Sequence, residues 1–457
     1  MPLFIKGVIA ICVALLILAF SFTVSGHFAD EYGTTNTTTI TTSWNETTLN
    51  DTLNNKDTQI LQLDDGSGAT DITVLGRDIL ANPDGLYEYL YDASGDSWSN
   101  QKIACANVKN FVTGNDISGT LDAHNNNNYE GGMVVATYMN ASADPWMAIG
   151  GWGAAWACCE VAESTLGNGE DTSVVVLDNG VTGVAFGETA INARIRFTQC
   201  TEPCVGCTTE QVDIVNTAGD YPALLYNSNA TRWEVFYADV EGGDTILRNA
   251  RRTGPGAWQL ENLGSIGGQS GWTWPGIDAV KSNIADTNTT VACYRNMTGT
   301  SLDIVYGERG SWTYETVDDT DTGLYCAITM NASATNETHI TYVSRTSGDL
   351  KHAWGILGSG TWNVETLNDS TDAEFTDLLI DENNDELYVS YINDAPNDIL
   401  FGEFDTAIIS GTGNNEIGEL QHDLINAWNT LPGYVAVIII ILIAAGMVYY
   451  LSRPGVR

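Results

Sequence analysis

SWTYETV, residues 311–317, has five close counterparts along this 457-residue chain: SWNETTL at 43–49, SWSNQKI at 97–103, AWACCEV at 155–161, AWQLENL at 257–263 and TWNVETL at 361–367. Their tryptophans are Trp44, Trp98, Trp156, Trp258, Trp312 and Trp362. Between Trp156 and Trp258 the interval roughly doubles, and the Trp-less TEQVDIV at 209–215 stands where a member is missing. A recurrence of about fifty residues marks a propeller or a solenoid, whose repeats cannot bury a core alone.

Working outward from each phrase, the same grammar returns. A turn-rich stretch is followed by three short apolar strands separated by polar turns, and then the Trp phrase closes the unit. LYCAITMN, HITYVSR, LKHAWGI and GTWNVETL form one such unit. Short β-branched and aromatic runs bounded by Gly, Asn, Asp and Ser are strand and hairpin signals. No helical period is sustained between Asp30 and Ser410, which excludes a helical solenoid. The count is seven units, with six or eight as the alternatives. The last unit (LLIDENN, ELYVSYIN, DILFGEFD) lacks a fourth strand, and the orphan phrase at Trp44 precedes the first complete unit. Pairing the two closes a ring and removes an open sheet edge. The fold expected is therefore an all-β, seven-bladed β-propeller.

Over roughly Ile40 to Thr406 this repeat resembles β-propeller ectodomains of prokaryotic, in particular archaeal, surface proteins. YDASGDSW, ending at Trp98, approximates the Asp-box turn of sialidase-like propellers, with its acidic residue displaced by one. The resemblance speaks to fold rather than activity.

The ends read as membrane segments. An apolar run from Gly7 to Val24 follows Lys6 and precedes Ser25 and Gly26, giving a signal peptide or anchor over 1–29. The propeller ectodomain is assigned to 30–410 and a stalk to 411–431. A transmembrane helix is expected at 432–452, around YVAVIIIILIAAGMVYYL, and a cytoplasmic tail at 453–457. Arg453 and Arg457 place that tail inside and the propeller outside. TLPGY before the span loosely resembles archaeal sorting and anchor signals.

The formal net charge is −40, and the stretch from Asp30 to Asp423 holds all 58 acidic residues. No basic stripe exists, so nucleic acid is excluded as a partner. The acidic, Lys-poor composition resembles that of proteins from high-salt habitats, where counterions screen self-repulsion. Ten Asn-x-Ser/Thr sequons suit a glycosylated surface: Asn36, Asn45, Asn50, Asn140, Asn229, Asn288, Asn296, Asn331, Asn336 and Asn368. Eight cysteines outside the leader point to disulfides: Cys105, Cys158, Cys159, Cys200, Cys204, Cys207, Cys293 and Cys326. Cys293 and Cys326, on neighbouring units, are a candidate pair, and Cys158 and Cys159 are expected to bond to different partners. Cys200, Cys204 and Cys207 also have the spacing of three zinc ligands, with no fourth nearby.

Strand order puts both chain ends on one face of the ring and the inter-blade loops on the other. Those outward loops carry Trp272 and Trp274 (GGQSGWTWPG) and Trp146 (NASADPW), flat apolar platforms suited to sugar rings. Asp318, Asp319 and Asp321 are a weak calcium cluster, without EF-hand spacing. No other cofactor is expected. A nucleophile elbow, a zincin motif and a P-loop are absent. The leading expectation is a membrane-anchored, glycosylated propeller for surface recognition or adhesion through a glycan or protein ligand, with self-association open. The alternatives are an envelope-tethered glycoside hydrolase or sialidase-like enzyme, and a structural coat or viral spike protein.

Overall fold

The computed structural model describes residues 44–405, except 51–54, 64–70, 79–84, 93–96, 104–121, 127–132, 140–143, 152–154, 163–168, 189–193, 214–218, 242, 269–275, 283–287, 321–322, 332–336, 370–371, 382–385 and 394–396. The expected signal segment, stalk, membrane helix and tail lie outside the described residues. No helix among those described is long and apolar enough to cross a membrane.

Seven antiparallel four-stranded sheets follow one another along the chain. Blade one spans 55–103, two 122–160, three 169–211, four 219–268, five 277–318, six 323–368 and seven 373–405. Each innermost strand packs beside that of the next blade, and the innermost strand of blade seven packs beside that of blade one, so the ring closes. The fourth strand of blade seven comes from the other end of the described chain. Asn45–Asn50 pairs with Asp398–Asp405 in the register Asn45↔Glu403 and Thr47↔Phe401. The seven-bladed count and the donated outer strand are thus as the Trp spacing predicts.

Each apolar core belongs to two blades. Leu75 and Leu86 of blade one meet Val134 and Ala136 of blade two. On the opposite face of the same blade-two strand, Val135 and Met139 meet Val174 and Phe186 of blade three. Alternate residues of a strand point to opposite faces. A blade buried on both faces therefore needs an unbroken apolar run, and every residue of Thr182–Glu188 is buried.

The Trp phrase is the outer clasp between blades. Trp312 of blade five donates its indole N–H to Glu261 of blade four (2.9 Å), and Glu261 also accepts Gly310 N–H (2.9 Å). Trp362 of blade six donates to Glu315 of blade five (3.2 Å). The indole lies over a third-strand glycine of its own blade. A Cβ on Gly355 would sit 2.8 Å from Thr361 O and 3.2 Å from the Trp362 ring, and Gly150 and Gly402 lie under Trp156 and Trp44 in the same way. A second staple joins the end of the phrase to a tyrosine of the next blade: Tyr237 donates to Asp213 (2.7 Å) and Tyr342 to Asp318 (2.6 Å). A third lies at the axis. Ser173, Asp278 and Asp377 accept the backbone N–H of Leu224, Ile328 and Ile60 in the next blade at 2.8–3.0 Å.

Disulfides reinforce the ring. Cys293–Cys326 ties blade five to blade six, Cys159–Cys204 ties blade two to blade three, and Cys200–Cys207 closes a turn in blade three. Cys158 is also disulfide-bonded, and not to Cys159, as expected. The zinc alternative for Cys200, Cys204 and Cys207 is thereby corrected: oxidation consumes all three sulfurs.

Candidate functional site

Blades three and four depart from the pattern of a tryptophan seated on a glycine. In blades five and six the tryptophan stands opposite a glycine, Gly307↔Trp312 and Gly355↔Trp362. In blade three the position, three residues before the acceptor Glu210, holds Cys207, which is disulfide-bonded to Cys200 in the place of the glycine. In blade four Trp258 is present, but Arg252 stands opposite it. Blade four contributes a second tryptophan to its interface with blade three. Trp233 packs so closely over Gly183 that a Cβ there would lie 2.6 Å from the ring. Trp233 is buried, with its ring centroid 5.4 Å from that of Phe197 and 4.9 Å from that of Tyr226.

Beside Arg252 a cleft of about 360 Å³ opens, lined by Asn179, Gln199, Tyr226, Arg232, Trp233 and Arg252, among others. Its size falls within the usual range of small-ligand pockets. Its polar groups are held from behind. Glu210 accepts Arg252 Nε (2.6 Å) and Trp258 Nε1 (2.9 Å), so the blade-three phrase keeps its acceptor although it lost its Trp. Arg252 Nη1 reaches Gln199 Oε1 (2.5 Å). Glu234, buried completely, accepts Arg232 Nε (2.8 Å) and Arg251 Nε (3.1 Å). Burial lowers the Arg251 pKa, with Glu234 opposing. Two guanidinium groups are thereby fixed beside amide, hydroxyl and aromatic surface. No carboxylate lines the cleft, so the paired acids of glycoside hydrolysis are not in it.

A second cavity, of about 140 Å³, lies at the axis and draws on the innermost strands of six blades. Tyr221, Tyr325 and Phe375 line one side, each with left-handed backbone (φ 55°, 51° and 45°), at the bulges where three innermost strands begin. Gly276 (φ 47°) holds the corresponding place in blade five, where a Cβ would meet Tyr325 N at 2.7 Å. Asp57, Asp278 and Asp377 also line this cavity. Burial pushes the Asp278 carboxyl up to about 6, against two backbone N–H donors. These aspartates are committed to backbone N–H groups and serve the axial staple.

No protein-family model matches the chain, and no curated protein does. Among solved structures, the BP39L lectin from Burkholderia pseudomallei superposes with a TM-score of 0.57 at 13% identity, over 78% of this chain and 97% of that one. A six-bladed β-propeller fungal lectin from Aleuria aurantia, described for its fucose recognition, gives 0.42 at 12% identity, over 70% and 97%. The polysaccharide lyase Uly1 gives 0.46 at 7% identity, over 74% and 88%. At such identities the likeness is one of fold.

The residues singled out in the sequence fall elsewhere. Trp272, Trp274, Asp321, Cys105, Asn36, Asn140 and Asn336 lie outside the described residues. Trp146, expected in an outward loop, lies in the strand Pro145–Gly151 and packs half-buried against the core of blades one and two. Its place between Tyr138 and Glu160 in the sheet takes it off the surface. Asp318 is buried, and Thr320, Tyr342 and Lys351 satisfy its carboxylate. Burial opposes its charge, but those partners hold its pKa below the usual carboxylate range. It is a staple rather than a calcium ligand. Asp319 is exposed, and among the described residues no group of three or more His, Cys, Asp or Glu would hold a metal. Of the sequons, Asn229 is exposed in a turn beside the cleft, while Asn288 and Asn331 are half-buried. The Asn45 amide donates to Glu403 (3.2 Å) and that of Asn296 to Asp303 (2.7 Å). Asn368 donates to Tyr391 and Glu46, both at 2.7 Å, in the place Asp318 holds in blade five. Asn50 ends the closing strand. The cleft residues went unmarked because their one signal is slight: Arg252 in place of the glycine that other blades set opposite the phrase tryptophan.

Proposed function

We propose that this chain is a membrane-anchored, extracellular carbohydrate-binding propeller whose ligand sits in the cleft between blades three and four. The observation that carries the reading is that beside the Trp258–Glu210 clasp the glycine seat of the indole is replaced by Arg252, and a cleft of ring edges, guanidinium groups and amides opens there. Departures from a molecule's own local rule concentrate at functional positions. Sugars ask for such a surface: aromatic area for their C–H faces and fixed donors for their hydroxyls. The anchor is proposed from the apolar run at 434–451, and export agrees with the disulfides.

The cleft opens on the edge of the ring where Asn45–Asn50 begins and Asp398–Asp405 ends. A tether through 432–452 then turns it toward the surface that carries the protein, so glycans of that surface are its ligands. The test is a glycan array probed with the full chain in detergent. Tyr226→Ala and Gln199→Ala are expected to weaken each positive by about tenfold or more while leaving the unfolding temperature within a few degrees. A blank array, or positives untouched by both substitutions, would overturn this reading of the cleft.

A further inference from the structure

We infer that the cleft selects acidic sugars, placing a uronate or sialate carboxylate against Arg232 and Arg252; this rests on the cleft being a carbohydrate site. The chain carries 58 acidic and 18 basic residues, yet the cleft is lined by two arginines and no carboxylate. The axial cavity has the reverse character, with three aspartates and no basic residue. Nine of the 18 basic residues lie between Arg194 and Arg309, in blades three to five. Half of the molecule's scarce cations thus fall in these three blades.

Their geometry suits an anion. Glu210 and Glu234 lie behind the guanidinium groups and hold their Nε atoms, which fixes the forks without placing a negative charge in the cleft itself. Counting Arg251, three guanidinium groups share these two carboxylates. Arg232 Nη2 is buried with no hydrogen-bond partner in the protein. A neutral sugar would be served by Gln199, Asn179 and the threonines alone, whereas a fixed fork matches the two oxygens of a carboxylate. Asp178, exposed next to Asn179, is the nearest acid in sequence to the rim. Elsewhere the field of a chain at −40 repels anions, so a local positive site is needed to accept one.

Calorimetric titration of the full chain in detergent decides the matter, using glucuronate- and sialate-terminated oligosaccharides and the methyl esters of the same sugars. The acids are expected to bind about tenfold or more tightly than their esters. Asn179→Asp supplies a second reading that spares the fold, because its side-chain oxygen still accepts Val181 N–H (3.1 Å in the native turn) while a negative charge enters the rim. It should weaken the acids several-fold more than the esters. Acids and esters bound equally well would overturn the acid selectivity and leave the carbohydrate reading standing. Esters weakened as much as acids by Asn179→Asp would also overturn it. Binding of neither class would overturn both.

Discussion

At the residue scale, one glutamate in the phrases of blades four and five does as much as the tryptophan that makes the phrase visible. Glu261 receives the indole N–H of Trp312 and the backbone N–H of Gly310, both from the next blade. Glu315 does the same for Trp362 while also accepting the Tyr306 hydroxyl (2.6 Å), whose pKa burial and this carboxylate push up to about 12. Removing a carboxylate leaves two donors of a half-buried interface without a partner, which costs more than the net worth of the bonds. Glu261→Ala is expected to lower unfolding stability by about 1.5–3 kcal/mol, and Glu261→Gln by less, because one acceptor oxygen survives. Urea unfolding of the full chain checks this, and a loss under about 0.5 kcal/mol for Glu261→Ala would show that the clasp is incidental. The tryptophans are legible in the sequence because they are rare and evenly spaced. Their acceptors are not, since 58 acidic residues supply a glutamate near almost any position.

At the element scale, blade six carries a buried pair with a pH dependence of its own. His339 and His352 face each other across neighbouring strands, with Nδ1 3.1 Å from Nε2 and rings stacked at 5.3 Å. Both are fully buried. His352 Nδ1 lies 3.0 Å from Glu365, its ring stacks on Trp354, and Glu337 lies 3.9 Å from His339. Burial, reinforced by the neighbouring His339, holds the His352 pKa well below its ordinary value of 6.5. Protonation therefore favours the unfolded chain. The contribution of His352 is intact above about pH 6.5 and is lost as pH falls from there toward the folded value. Asp278 works in the other direction, because its raised pKa makes stability fall as pH rises from about 4 through about 6. The histidine effect is thus read as a difference: melting temperatures at pH 8 and pH 5 should converge in His352→Gln relative to the unsubstituted chain. An unchanged pH slope would refute it. The two histidines stand on the second and third strands of blade six, Glu337–Ser344 and Leu350–Ile356. The blades themselves were legible because each strand is a short apolar run between turn residues. Trp146 was misplaced because its Asp-Pro neighbours signal a loop, while a strand begins at Pro145.

At the scale of the whole molecule, stability is circular. Every core is shared by two blades, so a ring of seven has seven interfaces only if blade seven meets blade one, as Tyr388 and Phe401 do against Ile60 and Tyr89. The strand that completes blade seven also reaches blade six: Glu46 accepts Asn368 Nδ2 (2.7 Å) and the Tyr391 hydroxyl, and the Trp44 ring covers Gly402. This closure was foreseeable from an orphan phrase and an incomplete last unit. The cleft was not, because the Trp258 phrase beside it is regular in sequence and an arginine in a strand does not announce that it stands where other blades have glycine. Losing the closing strand has a consequence that losing an internal contact lacks. It bares the edge of Asp398–Asp405, whose backbone donors and acceptors then offer pairing to another chain. Trp44→Ala and Trp362→Ala each remove one indole from a glycine-backed seat, at a cost of about 3–5 kcal/mol. Only the first also loosens the closing strand. Trp44→Ala is therefore expected to form concentration-dependent dimers and larger species near its unfolding midpoint, while Trp362→Ala unfolds as a monomer. Light scattering of both variants across the melt checks this, and equal association in the two would mean that the donated strand does not guard the edge.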